Sequence, residues 1–373
     1  MEGNQQFKTL GLLIGNKTFH FYSKIAKIIA NFPAIVFIVN VNINKSKMHI
    51  KIKTIIFCLL AVSSLYAQKA KIEHLPDLPY DKYEIQNKKD TLTFYLSVTA
   101  SKEKLPLVVY VQGSGKNSLF AMRNGKVIPT NGHSSWYTAT QEKFKVLIIE
   151  KPGVKYLQDG SKNFDKKFSL ENWSNAITNA INYVLKKENI DNRKMLIAGH
   201  SEGGVVVSRV ASLMKDTVSH VAILAGEGPS QLYSLYKFAE DGTFFNTEEH
   251  NMPLPEQRIE YVKTIWNDIL SDPNNTSKNF WGFSYLRWSS MLKTSVIDEL
   301  EKYNGKILLL QGTADKAVYP ESATIAYTTL LSKGKNIRLE LINNADHSFN
   351  ISDQPQTDGW RMVIEKTLQW FNQ

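Results

Sequence analysis

The stretch Lys194–Val210, "KMLIAGHSEGGVVVSRV", changes character twice. Met195–Ala198 is apolar and uncharged, as a buried strand is, while Val205–Val207, Val210, Leu213 and Met214 form one apolar face of a helix. Between them His200, Ser201 and Glu202 are fenced by Gly199 and by Gly203–Gly204. A G-x-S-x-G turn from strand into helix holds its serine in strained backbone geometry, with the hydroxyl exposed above the sheet. Residues two positions to either side must be small to avoid collision across the turn, and Gly199 and Gly203 are. The N–H groups opening the helix favour negative charge at the same spot. The bare pattern is also that of an ordinary glycine-rich turn, so the decision rests on its partners.

A serine hydroxyl is a poor nucleophile and needs a histidine base, itself oriented by a carboxylate. From Gln68 onward the histidines are His74, His133, His200, His220, His250 and His347. The expected order is serine, acid, histidine. "LLLQGTADKAVYP" (308–320) ends a strand and places Asp315 in the loop beyond it, and only His347, in "NNADHSFN" (343–350), follows. Glu227, after "VAILAG", is the rival acid. Asp315 is favoured because Gly312 and Thr313 present it from the strand next to the histidine loop. Asp346 reads as a loop brace or a solvated residue, His200 and His220 as structural, and His250 as a substrate contact at most. Two backbone donors are expected for the oxyanion: the N–H of Glu202, and the Gly113–Ser114 loop in "VVYVQGSGKNS" (108–118). Acyl transfer on such a site requires no metal and no organic cofactor.

Outward from this point, short apolar runs alternate with helical patterns. "TLTFYLSV" (91–98) alternates as a half-exposed strand does, and 105–113, 144–153, 194–199, 220–228 and 306–312 are nearly continuous apolar runs. A last strand is expected within 337–347. Trp173, Ala176, Ile177, Ala180, Ile181, Val184 and Leu185 share one helix face with Ser169 as N-cap, and Pro320 to Gly334 reads as a helix start and stop. The pattern predicts an α/β fold: a mostly parallel central sheet with helices on both faces. It breaks once, at about 227–305, where helical patterns and aromatic side chains indicate a cap-like insertion. Its Trp266, Phe280, Trp281, Phe283, Tyr285 and Trp288 are expected mainly to pack the insertion, with a minority lining a pocket.

The 373 residues carry a net charge of +10, but residues 1–67 hold eight lysines and one glutamate. The remaining chain is near +3, which removes most of the support for a nucleic-acid partner. From Met48, "MHIKIKTIIFCLLAVSSLYAQKAK" runs from lysines through an apolar stretch to small residues, the order of a secretory signal peptide over 48–67 with cleavage after Ala67. The expected location is therefore exported, periplasmic or secreted, with no stable membrane association after cleavage. The one cysteine, Cys58, lies inside this segment, and bulky Phe57 argues against lipid attachment there. The mature chain then has neither disulfides nor cysteine metal sites. Residues 1–47 are read either as an anchor or, by preference, as lying upstream of the natural start at Met48.

With these motifs in order, the chain resembles the α/β-hydrolase superfamily across about residues 90–373. "VQGSG", "IEKPGV", "AGHSEGG", "LLLQGTADKAV" and "NNADHSF" look like the blocks of bacterial serine esterases related to prolyl-oligopeptidase-type peptidases and dienelactone hydrolases. The resemblance implies Ser201 as nucleophile, Asp315 and His347 completing a triad, Ser114 and Glu202 as oxyanion donors, and a helical cap after the sixth strand. Pro152 stands where such esterases often have arginine, and Glu227 where they often have proline, which puts the pocket's shape in question. The expected substrate is a small-molecule, glycan-linked or peptide-linked acyl compound. A serine peptidase on the same triad is the alternative, and a non-catalytic binding protein on this fold is a third.

Overall fold

The computed structural model describes residues 70–87, 90–140, 142–160, 163–245 and 252–373. Residues 1–47, the signal-like segment 48–67 and His250 lie outside the described residues. The chain opens with β1 (Lys71–His74), β2 (Tyr80–Asn87), β3 (Asp90–Ser97) and β4 (Leu105–Val111). A small hairpin, β5 (Phe120–Arg123) and β6 (Lys126–Pro129), leads to α1 (His133–Thr140) and β7 (Lys145–Ile149). Next come α2 (Phe164–Lys167), α3 (Leu170–Lys187), β8 (Ile190–His200), α4 (Glu202–Leu213) and β9 (His220–Leu224). The insertion contributes α5 (Gln231–Asp241), α6 (Pro255–Ser271), the short pair β10 (Asn279–Phe280) and β11 (Phe283–Ser284), α7 (Tyr285–Leu292) and α8 (Val296–Glu301). The sheet resumes with β12 (Lys306–Gly312), α9 (Pro320–Ser332), β13 (Ile337–Ile342) and α10 (Gly359–Asn372).

Nine strands form one sheet in the order β1-β2-β3-β7-β4-β8-β9-β12-β13. Pairing is antiparallel from β1 to β7 and parallel from β7 to β13. The parallel strands are apolar almost throughout because helices cover both of their faces. On one face, α3 and α4 bury Trp173, Ile177, Ile181, Val184 and Val205–Val207 against the sheet. On the other, α1 and α10 bury Trp136, Val363, Ile364, Leu368 and Phe371. Ser169 caps α3, its Oγ accepting from the Asn172 N–H at 3.2 Å, and Pro320 opens α9.

Three expectations need correction. The strand expected over 220–228 stops at Leu224, because Ala225 takes φ 46° and turns the chain away. The last five residues of β3 are all buried rather than alternating, since this strand is flanked by β2 and β7 and covered on both faces. The insertion is not purely helical, for it contains the β10–β11 pair, and it builds an apolar cluster of its own around Phe238, Phe245, Phe280 and Trp288.

Candidate active site

Ser201 joins β8 to α4 with φ 56° and ψ −126°, a conformation that costs a non-glycine residue about 1–3 kcal/mol. Its surroundings force it. The Ser201 N–H donates to the Leu224 carbonyl at 2.9 Å, and its carbonyl accepts from the Gly204 N–H at 2.8 Å. A Cβ on Gly199 would lie 2.2 Å from the Gly203 carbonyl oxygen, so the turn closes only with glycine there. Gly203 is required for a second reason: a Cβ at this position would meet the Val111 and Gln112 carbonyls at 2.4 and 2.8 Å. The elbow is thus wedged against the end of β4.

Asp315 and His347 reach this serine from loops beyond β12 and β13. His347 Nε2 is 3.0 Å from Ser201 Oγ, and its Nδ1 is 2.9 Å from Asp315 Oδ2. Asp315 is buried, and Oδ1 accepts from the N–H groups of Ala317 and Val318 at 2.8 and 2.9 Å, while Oδ2 also accepts from Gln311 Nε2 at 2.9 Å. These bonds fix the carboxylate's orientation before it meets the imidazole. The rival acid, Glu227, is engaged elsewhere: its Oε2 accepts from Ser322 Oγ at 3.2 Å. Asp346 braces its own loop by accepting from the N–H groups of Ser348 and Asn350 at 2.8 Å each. His200 is structural in a specific way, with Nε2 2.9 Å from the His347 carbonyl oxygen and the ring edge-on to Trp360, so it fixes the backbone that carries the imidazole. Burial pulls the His200 pKa down to about 4, keeping it a neutral donor. His220 bonds Ser219 Oγ at the far end of β9.

The glycine loop after β4 lies against the elbow. A Cβ on Gly113 would be 3.1 Å from the Ser201 Cβ, and Ser114, Ser201 and Glu202 line one cavity. Sequence reading missed what holds this loop. Buried Lys151, just past β7, donates from Nζ to the Gly113 and Gly115 carbonyls at 2.5 and 2.9 Å. Its buried neighbour Glu150 accepts from Ser118 Oγ at 2.8 Å and from the Leu119 N–H at 3.2 Å. Burial, with Arg287 nearby, pulls the Lys151 pKa down to about 7, and burial raises Glu150 to about 7. Two ionisable residues closing an apolar strand were the available signal.

The cavity encloses about 590 Å³. Leu235, Phe238, Phe244, Trp281 and Trp288 give it apolar walls, while Glu227, Gln231 and Ser234 add polar groups. Of the insertion aromatics expected from sequence, Trp281 and Trp288 line the cavity, whereas Phe280 and Tyr285 are buried in the insertion's own cluster. Phe238, Phe244 and Arg287 had not been singled out. Arg287 from α7 pairs with Glu202 of the elbow, both fully buried, and stacks 3.8 Å from the Trp288 ring centre. Burial lowers the Arg287 pKa to about 9. Among the described residues, no three His, Cys, Asp or Glu side chains cluster as metal ligands, and no helix is long and apolar enough to cross a membrane.

Comparison with known proteins bears on the fold. Residues 177–358 match the family described as BAAT / acyl-CoA thioester hydrolase C terminal. No curated protein matches the chain significantly in sequence. Among solved structures, Est1E from Butyrivibrio proteoclasticus is similar with a TM-score of 0.50 and 16% identity, over 78% of this chain and 98% of that one. An uncomplexed acylaminoacyl peptidase from Pyrococcus horikoshii is similar with a TM-score of 0.54 and 16% identity over 84% of this chain, which spans only 43% of the peptidase. The α/β hydrolase GrgF from Penicillium sp. sh18 gives a TM-score of 0.51 at 11% identity, over 79% of this chain and 98% of that one. At these identities the structural likeness is one of fold. Taken with the sheet order and the strained serine turn, it shows that the chain has the α/β-hydrolase fold.

Proposed function

We propose that the chain is a serine hydrolase cleaving carboxylic esters through an acyl-enzyme intermediate. One observation carries this reading: an unbroken hydrogen-bonded run from Asp315 through His347 to Ser201, ending at an open cavity. Ser201 Oγ attacks the ester carbonyl while His347 Nε2 takes its proton, and Asp315 stabilises the imidazolium. The backbone N–H of Glu202 and those of the Gly113–Ser114 loop receive the oxyanion, and His347 returns the proton to the leaving alcohol. Water, deprotonated by the same imidazole, then attacks the acyl group and restores Ser201. The segment from about 227 to 305 acts as the cap, supported by its share of the cavity wall.

The peptidase reading has one observation in its favour: the buried Glu227 carboxyl on the cavity wall can accept from a substrate amine. Turnover of p-nitrophenyl esters beside aminoacyl-p-nitroanilides, by the protein and its Ser201→Ala variant, separates the two. Ester turnover lost in the variant is expected; anilide turnover lost in its place would move the assignment to peptidase. Export rests on the signal-like 48–67 segment, and the mass of protein recovered outside the cytoplasm should correspond to a chain beginning at Gln68. A full-length chain confined to the cytoplasm would contradict export.

A further inference from the structure

The insertion reaches the elbow through a buried ion pair beside the proposed oxyanion position. Arg287 of α7 meets the side chain of Glu202, whose backbone N–H is a candidate oxyanion donor. The two residues are 3% and 2% exposed, and both line the cavity that Ser201 and Ser114 also line. Arg287 is firmly held. Its guanidinium carbon lies 3.8 Å from the Trp288 ring centre and 4.9 Å from that of Phe283. On either side of it the chain is pinned to α2 and α3: Ser284 Oγ donates to the Asp165 carbonyl at 3.2 Å, and Ser290 Oγ accepts from the Leu170 N–H at 3.0 Å.

The place of Glu202 makes its charge matter. It follows Ser201 directly and opens α4, so its N–H has no carbonyl within the helix to bond. A carboxylate on that same residue is a fixed negative charge beside the point where the tetrahedral intermediate develops its own. Buried charges are screened far less than exposed ones, so the carboxylate alone would oppose the step that the N–H assists. The paired guanidinium cancels it. Lys151, close enough to feel the Arg287 charge, is bonded to the other donor segment at the Gly113 carbonyl, so a buried cation is attached to each segment. Resting on the esterase reading above, we propose that Arg287 is a positioning residue supplied by the insertion, which neutralises the Glu202 carboxylate and keeps the oxyanion site receptive to negative charge.

A second substitution separates this role from simple packing. Hydrolysis of p-nitrophenyl acetate would be followed for the full-chain native protein, for Arg287→Met, and for Arg287→Met combined with Glu202→Gln, with circular dichroism checking the fold of each. Arg287→Met should lower kcat about tenfold or more with KM little changed, and adding Glu202→Gln should raise kcat again by about fivefold or more. A smaller loss, a loss carried by KM instead of kcat, or a smaller recovery would overturn the proposal. Where Arg287→Met does not fold, the double variant decides alone, since it buries no unpaired charge. A kcat within about tenfold of native then supports the role, and a greater loss overturns it. The esterase reading fails separately, if native turnover is absent or survives Ser201→Ala. Turnover that depends on Ser201, with no recovery in the double variant, removes the Arg287 inference alone.

Discussion

Glu227 shows how one buried side chain couples the site to pH. It is 4% exposed, and burial raises its pKa from an ordinary 4.5 to about 7. A carboxyl that holds its proton more tightly when folded adds stability below its unfolded pKa, and that contribution is lost as pH rises through about 7. Glu227→Gln does not titrate. Its unfolding free energy relative to the native protein should therefore rise between pH 5 and pH 8 by about 1–3 kcal/mol. Urea unfolding at the two pH values measures this, and a difference that stays flat would show that Glu227 is not desolvated as described. His133, His200 and His220, each pulled down to about 4 by burial, titrate alike in both proteins and cancel. That Ser201, Asp315 and His347 come together was legible in the sequence because the proposed nucleophile, acid and base come from few residue types in a fixed chain order. Lys151 and Arg287 were not, because the groups that give them meaning, the Gly113 carbonyl and the Glu202 carboxylate, are distant in sequence.

Between elements, the significant contact is the grip of the β7 terminus on the loop after β4. Lys151 holds its first half through the Gly113 and Gly115 carbonyls, and Glu150 holds its second half at Ser118 and Leu119. Lys151 acts through the loop and is a positioning residue. Replacing it with methionine keeps an unbranched apolar side chain in this buried place and removes both bonds, together with the ammonium's contact over the Trp173 ring. The expected result is a kcat for p-nitrophenyl acetate lowered by about tenfold or more with KM little changed, since the loop's N–H groups matter most as negative charge develops. A kcat within twofold of native would mean that the loop holds its place without the ammonium. Elements with strong periodicity or a long apolar run, such as α3, β8 and β12, were readable from sequence. β1 and β2 were not: all four residues of β1 are exposed, so pairing at the sheet edge defines it, and in β2 the buried Tyr80, Tyr83 and Ile85 are interspersed with Asp81, Lys82 and Glu84. The β10–β11 pair is two residues per strand, too short to leave a period.

At the scale of the molecule, a sheet with two buried faces carries three loops to one place: the elbow after β8, the Asp315 loop after β12 and the His347 loop after β13. Parallel strands align their carboxyl ends, so residues separated by 114 and 32 positions in the chain converge without any local signal of contact. This is why fold class and candidate site were readable together, while the cavity was not. The cavity is built where an insertion with its own apolar cluster meets the sheet domain, and its lining depends on packing rather than on motif. The central claim, that Ser201 is the nucleophile, is tested most directly by treating the protein with phenylmethylsulfonyl fluoride and mapping the adduct by peptide mass spectrometry. A single sulfonyl adduct on the peptide carrying Ser201, with parallel loss of ester turnover and no adduct in Ser201→Ala, is the predicted result. Labelling of another residue with loss of activity, or inactivation of the Ser201→Ala protein, would contradict it.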